Sequence, residues 1–363
     1  MAISDDGMSS TESVGFFSQI GDSIKGILIG MVLLPASIYT VFKVETCTQA
    51  GAAFKNAKPV AQMEQGKPIY VTGKLTADPI GSRFVQPGKY IRISQDSQVY
   101  AWDEEEKTEG SGSNKKKIKE CKLEWTTNPR NPSSFSLPGC KNKPFHKKLF
   151  QNETVVAQDG AVNADGKTYK VNLKDVNFTS AVPTRDPDDA NIILNGFTKS
   201  DRYLFEKKEC ASSPIEGCER VNIDVTPIPE ADMTFLGSLS GSSIVPYVFK
   251  DDKFLNASVG TYEQTLTDIK NDDSTMKWIG RGLAFLMMWA AFSMMAGPLT
   301  TLLEFIPFVG EFGSGAIHFV LGAVAFVITA ITIILVKFWF IWLAILIGGI
   351  GFAYYKRKQK ATA

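Results

Sequence analysis

The sequence predicts an α+β membrane protein with four transmembrane helices and a β-rich extracytoplasmic domain between the first and the second. Three observations predict it. Apolar residues crowd into the two ends of the 363-residue chain, while the middle is polar. Short strand-like runs separated by turn residues fill that middle. Cys47, Cys121, Cys140, Cys210 and Cys218 all fall there too, which points to an oxidising compartment. The charge is nearly balanced, with 39 Lys and Arg against 38 Asp and Glu. That excludes a nucleic-acid binder working through a strong overall basic field.

Residues 1–25 read as an N-terminal tail. The uncharged run 26–42 (GILIGMVLLPASIYTVF) is just long enough to cross a hydrocarbon core of about 30 Å. A cleaved signal peptide is the competing reading. Asp5, Asp6, Glu12 and Asp22 stand where a basic leader is expected, and no clean small-x-small site follows, so an uncleaved anchor is favoured. The second span, 282–303, contains Pro298, which a membrane helix accommodates when neighbours satisfy the freed carbonyl. Residues 304–312, with Glu304, Pro307 and Glu311, are too short to cross and are expected in the interface. Lys337 and the aromatics Phe338, Trp339, Phe340 and Trp342 divide the last stretch into spans 313–336 and 338–355.

The tail 356–363 carries Lys356, Arg357, Lys358 and Lys360, and the positive-inside rule makes it cytoplasmic. Counting back through four spans puts residues 1–25 on the same face and 44–277 on the other. Lys277 and Arg281 then fall on the unfavoured side.

Within 44–277, strands are expected at Ile69–Gly73, Tyr90–Ser94, Gln98–Trp102, Tyr169–Leu173, Val221–Val225 and Met233–Leu236. One hairpin is legible. Gln98–Asp103 leads through Glu104, Glu105 and Glu106 to a Gly-Ser tip, and Lys115, Lys116 and Lys117 open the returning strand Ile118–Trp125. Acidic and basic stems then oppose each other across the turn. Cys121, Leu123 and Trp125 share one face of that strand. The lysine run reads as a solvated hairpin rather than an anionic-lipid patch. Thr261–Arg281 reads as a polar helix leading into the bilayer.

Cys121/Cys140 and Cys210/Cys218 are the closest pairs in sequence and so the disulfide candidates, although spacing does not fix connectivity. Cys47 is left over as a free thiol or a link between two chains. Zinc is disfavoured, since there is no CxxC spacing and His146 is the only histidine in the domain. No metal and no cofactor is expected. Asn152, Asn177 and Asn256 begin glycosylation acceptor patterns, which carry meaning in a eukaryotic source. Catalytic residues are not expected: His146 and His318 are the only histidines, and neither sits near a nucleophile elbow. His318 is expected to hydrogen-bond a neighbouring helix. Asp186, Asp188 and Asp189 lack the glycine and distal Glu of a calcium loop and read as a turn or helix start. Ala344 and Gly348 form a small-xxx-small surface for close helix contact.

Several strings resemble the transmembrane protein 43 (LUMA) family. They are Ile69-Tyr-Val-Thr-Gly, the tract from Tyr90-Ile-Arg-Ile through Tyr100-Ala-Trp-Asp-Glu-Glu, Leu123-Glu-Trp-Thr, Ser274-Thr-Met-Lys-Trp-Ile-Gly-Arg and Glu304-Phe-Ile-Pro-Phe. About 141–220 matches only loosely, the paired cysteines suggest a bacterial or distant member, and Lys337-Phe-Trp-Phe stands where relatives often show Arg-Pro.

The resemblance implies a non-enzymatic organiser of membranes. In animal cells its members belong to the endoplasmic reticulum and inner nuclear membrane, self-associate, and contact proteins such as emerin and lamins. A bacterial relative would sit in the inner membrane with its domain in the periplasm. The expected function is therefore a membrane scaffold whose partners are the lipid bilayer, its own copies and other membrane proteins, with no nucleic acid. A lipid- or small-molecule-binding sensor is the alternative, prompted by Leu302–Phe312 beside a domain large enough for a pocket. An enzyme acting on lipid or peptidoglycan ranks third.

Overall fold

The structure, a computed structural model, describes every residue except 1, 5, 65, 111–114, 144–147, 149, 305–309, 339–346, 348 and 350–363. The chain divides into two compact units. A β-rich unit holds Met1–Glu12, Thr48–Thr108 and Lys117–Asp273. A helical unit holds Ser13–Cys47, Glu109–Lys116 and the chain from Ser274 onward.

The strands, in chain order, are β1 (Ala2–Ile3), β2 (Ser9–Ser13), β3 (Lys58–Pro59), β4 (Ile69–Ala77), β5 (Tyr90–Glu109) and β6 (Lys116–Thr126). They continue with β7 (Glu153–Val156), β8 (Asp159–Ala164), β9 (Lys167–Asn172), β10 (Asn177–Phe178), β11 (Thr198–Ser200) and β12 (Tyr203–Phe205). The rest are β13 (Glu219–Pro227), β14 (Met233–Ser240), β15 (Ser243–Val245), β16 (Tyr247–Phe249), β17 (Asp252–Phe254) and β18 (Asn256–Val259). The helices are α1 (Phe16–Thr46), α2 (Ala50–Ala53), α3 (Glu209–Ser212), α4 (Tyr262–Met295), α5 (Gly297–Glu304) and α6 (Gly310–Lys337).

Period-two alternation builds the first core. Ile69, Val71 and Leu75 of β4 are buried, and they join Val162, Val171, Met233, Phe235 and Ile244. The pairings β4–β14, β14–β15, β15–β9, β9–β8 and β8–β4 close a five-stranded ring. Gly73 occupies the inward position between Val71 and Leu75. A Cβ there would lie 2.2 Å from the Asn163 carbonyl oxygen, so glycine is needed where β4 and β8 approach. β18, β10 and β3 extend this sheet outside the ring.

The second sheet runs β1-β2-β6-β5-β13-β12-β11, with β7 also on β5. Its core gathers Phe84, Ile93, Phe197, Leu204, Val221 and Ile223. The two runs expected at Tyr90–Ser94 and Gln98–Trp102 are one 20-residue strand. Gln95, Asp96 and Ser97 between them contain no breaker, and Gln95 and Ser97 take buried positions in the same alternation. The Gln95 amide donates to the Gln151 carbonyl, and the Ser97 N–H donates to Asn152 Oδ1. The expected hairpin forms, with Lys117 and Lys119 on Glu106, Lys119 on Glu104 and Lys122 on Glu105. Lys117, Lys119 and Lys122 are thus tied to their own hairpin.

Residues 1–25 do not form the separate tail expected. β1 and β2 extend the sheet beyond β6. The Cys121 N–H donates to the Met8 carbonyl (2.9 Å) and the Gly139 N–H to the Gly7 carbonyl (3.0 Å). Such a ladder and a bilayer between its two members are mutually exclusive.

Two span boundaries also differ. The polar helix expected at 261–281 and the beginning of the second span are one continuous helix, α4. The expected span 282–303 is interrupted: α4 ends at Met295, and α5 starts at Gly297 with Pro298 in its first turn, where a missing N–H costs nothing. Span 313–336 corresponds to α6. The proposed fourth span, 338–355, and most of 304–312 lie outside the described residues.

Candidate functional site

Among the described residues, three helices are long and apolar enough to cross a bilayer, within Phe17–Ala53, Tyr262–Met295 and Gly315–Lys337. α1 has 31 residues, about 46 Å at 1.5 Å per residue. Small residues bring α1 against α4. Gly26 and Gly30 form a G-x-x-x-G pair, and a Cβ on Gly30 would fall 2.7 Å from the Ala291 carbonyl oxygen. A Cβ on Gly280 of α4 would fall 2.6 Å from a side-chain methyl of Val44. Sequence reasoning singled out Ala344 and Gly348, which lie outside the described residues, and passed over this earlier pair although its spacing was visible. Gly30→Val is expected to destabilise the helical unit by about 1–3 kcal/mol, because backbone cannot yield as a side-chain tip can. Chemical denaturation of the full chain in detergent checks this.

Polar contacts order the bundle further. On α4–α6, the Trp289 indole donates to the His318 carbonyl (3.0 Å), and His318 Nδ1 lies 3.1 Å from Ser293 Oγ. The expected inter-helix hydrogen bond of His318 is thus present. Ser23 Oγ and Thr301 Oγ1 join α1 to α5 at 2.9 Å.

Near the C-terminal end of α1, Glu45 is almost fully buried and accepts from Arg281 Nε (2.6 Å) and Nη2 (3.2 Å), with Lys277 Nζ at 3.4 Å. The two cations that offended the positive-inside rule share this carboxylate, which offsets one of their charges. No sequence spacing links residues more than two hundred positions apart.

Of the cysteines, Cys210 and Cys218 are joined in a disulfide. It packs in a cluster with Phe205, Tyr100, Tyr203 and Trp125. The Arg220 guanidinium stacks there, 4.4 Å from the Trp125 ring centre and 4.0 Å from that of Tyr203. Cys121 and Cys140, also disulfide candidates, are unbonded thiols in hydrogen-bond contact with each other. Burial pushes both thiols up, so neither is a ready thiolate. Cys47 is exposed. Brief alkylation of the native protein is therefore expected to modify Cys47 first and the fully buried Cys140 last, as read by peptide mass mapping.

The acceptor asparagines differ in access. Asn152 and Asn177 are exposed, and Asn152 Oδ1 accepts from the Ser97 N–H. Asn256 is 9% exposed, and Ser258 of its pattern is buried, donating to Asp268 and accepting from Thr179. The folded strand therefore closes Asn256 to a modifying enzyme, a distinction that a three-residue pattern does not carry. His146 lies outside the described residues. Asp186, Asp188 and Asp189 pair instead with Arg202, Arg185 and Lys199. Among the described residues, no three His, Cys, Asp or Glu side chains converge on a metal position.

A β-rich unit joined to helices with apolar outer faces defines an integral membrane protein. A family model described as Transmembrane protein 43 matches residues 99–342. The chain belongs to that family. No curated protein and no solved structure matches it.

Proposed function

We propose that this protein is a non-enzymatic membrane scaffold, held in the bilayer by its helices and using its β-rich unit to contact partners or further copies of itself. The observation that carries the reading is the apolar outer surface of the helices. Val32, Trp278, Phe319 and Phe326 are each more than 60% exposed, and only lipid or another apolar helix covers such residues favourably. Family membership supports it.

Native mass spectrometry of the detergent-purified, non-reduced protein tests self-association. Multiples of 39.8 kDa are expected, and a dimer lost on reduction would locate the link at the exposed Cys47. A strict monomer that retains no partner overturns the reading.

The proposal includes a fourth span at 338–355 and a cytoplasmic 356–363. Three late spans then put 44–277 on the opposite face, whether luminal or periplasmic. Four spans carry residues 1–25 to the cytoplasmic face and require the β2–β6 ladder to open in the bilayer. An arrangement in which residues 1–25 stay on the face of the β-rich unit keeps the ladder closed. Alkylation of Ser9→Cys from the cytoplasmic face selects the first arrangement, and alkylation only from the opposite face selects the second.

A further inference from the structure

The β-rich unit contains a cavity of about 440 Å³, within the range of small-molecule sites. Its apolar lining is continuous with the first core and includes Ile91, Leu173, Val176, Phe178 and Val182. Two cations, Arg92 and Lys174, line it as well, and both are exposed. Neither forms an ion pair among the described residues. Several other cations of this unit do find partners: Lys117 and Lys122 have glutamates, and Arg185, Lys199 and Arg202 have aspartates.

The position of Arg92 is fixed by two ladders. It stands opposite Val156 of β7 on one side and Thr226 of β13 on the other. Thr226 Oγ1 meets Thr184 Oγ1 at 2.9 Å, which closes that wall. Lys174 sits in the turn after β9, where its N–H donates to Asn172 Oδ1 and its side chain stays unpaired. Ser180, which also lines the cavity, gives its N–H and hydroxyl to Asp272. Thr179 donates to Ser258. What remains uncommitted around the cavity is apolar surface and two positive charges.

We propose that this cavity binds a single-chain amphiphile with an anionic head, the hydrocarbon lying against Ile91, Leu173, Val176, Phe178 and Val182 and the head meeting Arg92 and Lys174. A neutral chain would leave the cations unused, and a bare anion would leave the apolar wall wet. A carboxylate or a phosphate monoester satisfies the same chemistry. The proposal is independent of self-association: a monomer can bind the amphiphile, and an oligomer can fail to.

Equilibrium dialysis of the full chain in amphipol against radiolabelled dodecanoate tests it, with empty amphipol as background. Saturable binding near one per chain is expected, with dodecanol at least tenfold weaker. The exposed double reversal Arg92→Glu/Lys174→Glu is expected to weaken dodecanoate about tenfold or more while leaving the thermal midpoint unchanged. Val156→Trp, which narrows the cavity while keeping both cations, is expected to weaken it as well. Binding of dodecyl phosphate in place of dodecanoate assigns the head as phosphate and upholds the site. Absence of saturable binding by either anion, equal binding of dodecanol, insensitivity to the charge reversal, or equal binding of inorganic phosphate alone overturns it.

Discussion

Replacing Glu45 with alanine is expected to destabilise the full-length protein by about 2–4 kcal/mol. The carboxylate is 2% exposed and holds two cations at once, Arg281 at 2.6 Å and Lys277 at 3.4 Å. Breaking a buried pair from one side costs more than the pair contributes, because the remaining charge loses its partner without regaining water. Here the cations retain about a fifth of their exposure, 22% for Lys277 and 20% for Arg281, so the cost falls below that of a fully dry pair. Unfolding of the purified protein in detergent measures it. Removing all three charges together, as Glu45→Met/Lys277→Met/Arg281→Met, is expected to recover much of the loss. A single variant within 0.5 kcal/mol of the parent (a bound taken from ordinary surface substitutions) would show that the cluster carries no stability.

Glu104→Ala is expected to cost about 2–4 kcal/mol, the scale of two charge-assisted hydrogen bonds lost together. Its carboxylate accepts from the backbone N–H groups of Ser136 (2.6 Å) and Leu137 (3.0 Å) and from the Ser136 hydroxyl, with Lys119 at 3.6 Å. This one side chain clasps the loop carrying Cys140 onto the hairpin. Burial alone would raise the Glu104 pKa, but the hydrogen bonds and the lysine outweigh it and hold the carboxyl below its usual range. A depressed native pKa means that the stabilisation is complete above the unfolded-chain value of about 4.3 and is lost as pH falls through the lower native value. The Glu104→Ala variant is therefore expected to lose the part of the parent's acid sensitivity that lies below pH ~4.3. Hydrogen exchange at the Ser136 and Leu137 amides follows the same transition locally, and unchanged exchange in the variant would contradict the clasp.

Much of the β-rich unit was legible because alternation is a local signal. Ile69, Val71 and Leu75 announce an inward face, and the opposed glutamates and lysines of β5 and β6 announce their partnership. The bundle was legible in part, since hydropathy locates apolar stretches well and their ends poorly. α4 continues unbroken from its polar first turns into its apolar stretch, and the Gly297-Pro298 pair restarts the helix where hydropathy alone read straight on. What stayed hidden depends on distance in the chain: Glu45 beneath Arg281, Cys121 beside Met8, the burial of Asn256 between β14 and β10. The candidate cavity was invisible for the same reason. Arg92 and Lys174 look like ordinary surface cations until the fold sets the apolar lining beside them.

The two sheets also constrain how copies of this chain can meet. The ring of β4, β14, β15, β9 and β8 exposes no strand margin, because every member is flanked on both sides. The ends of the two large sheets are β1, β11, β10 and β3, each only two or three residues long, β7 at the side of β5 has four, the separate β16–β17 pair has three each, and β3 ends in Pro59, which cannot donate. Margins that short give an incoming strand little to zip along, which disfavours backbone-to-backbone growth into ribbons or fibrils. Assembly of this protein is thereby steered to side-chain surfaces and lipid-facing helices, where contact can form and dissolve without opening either sheet.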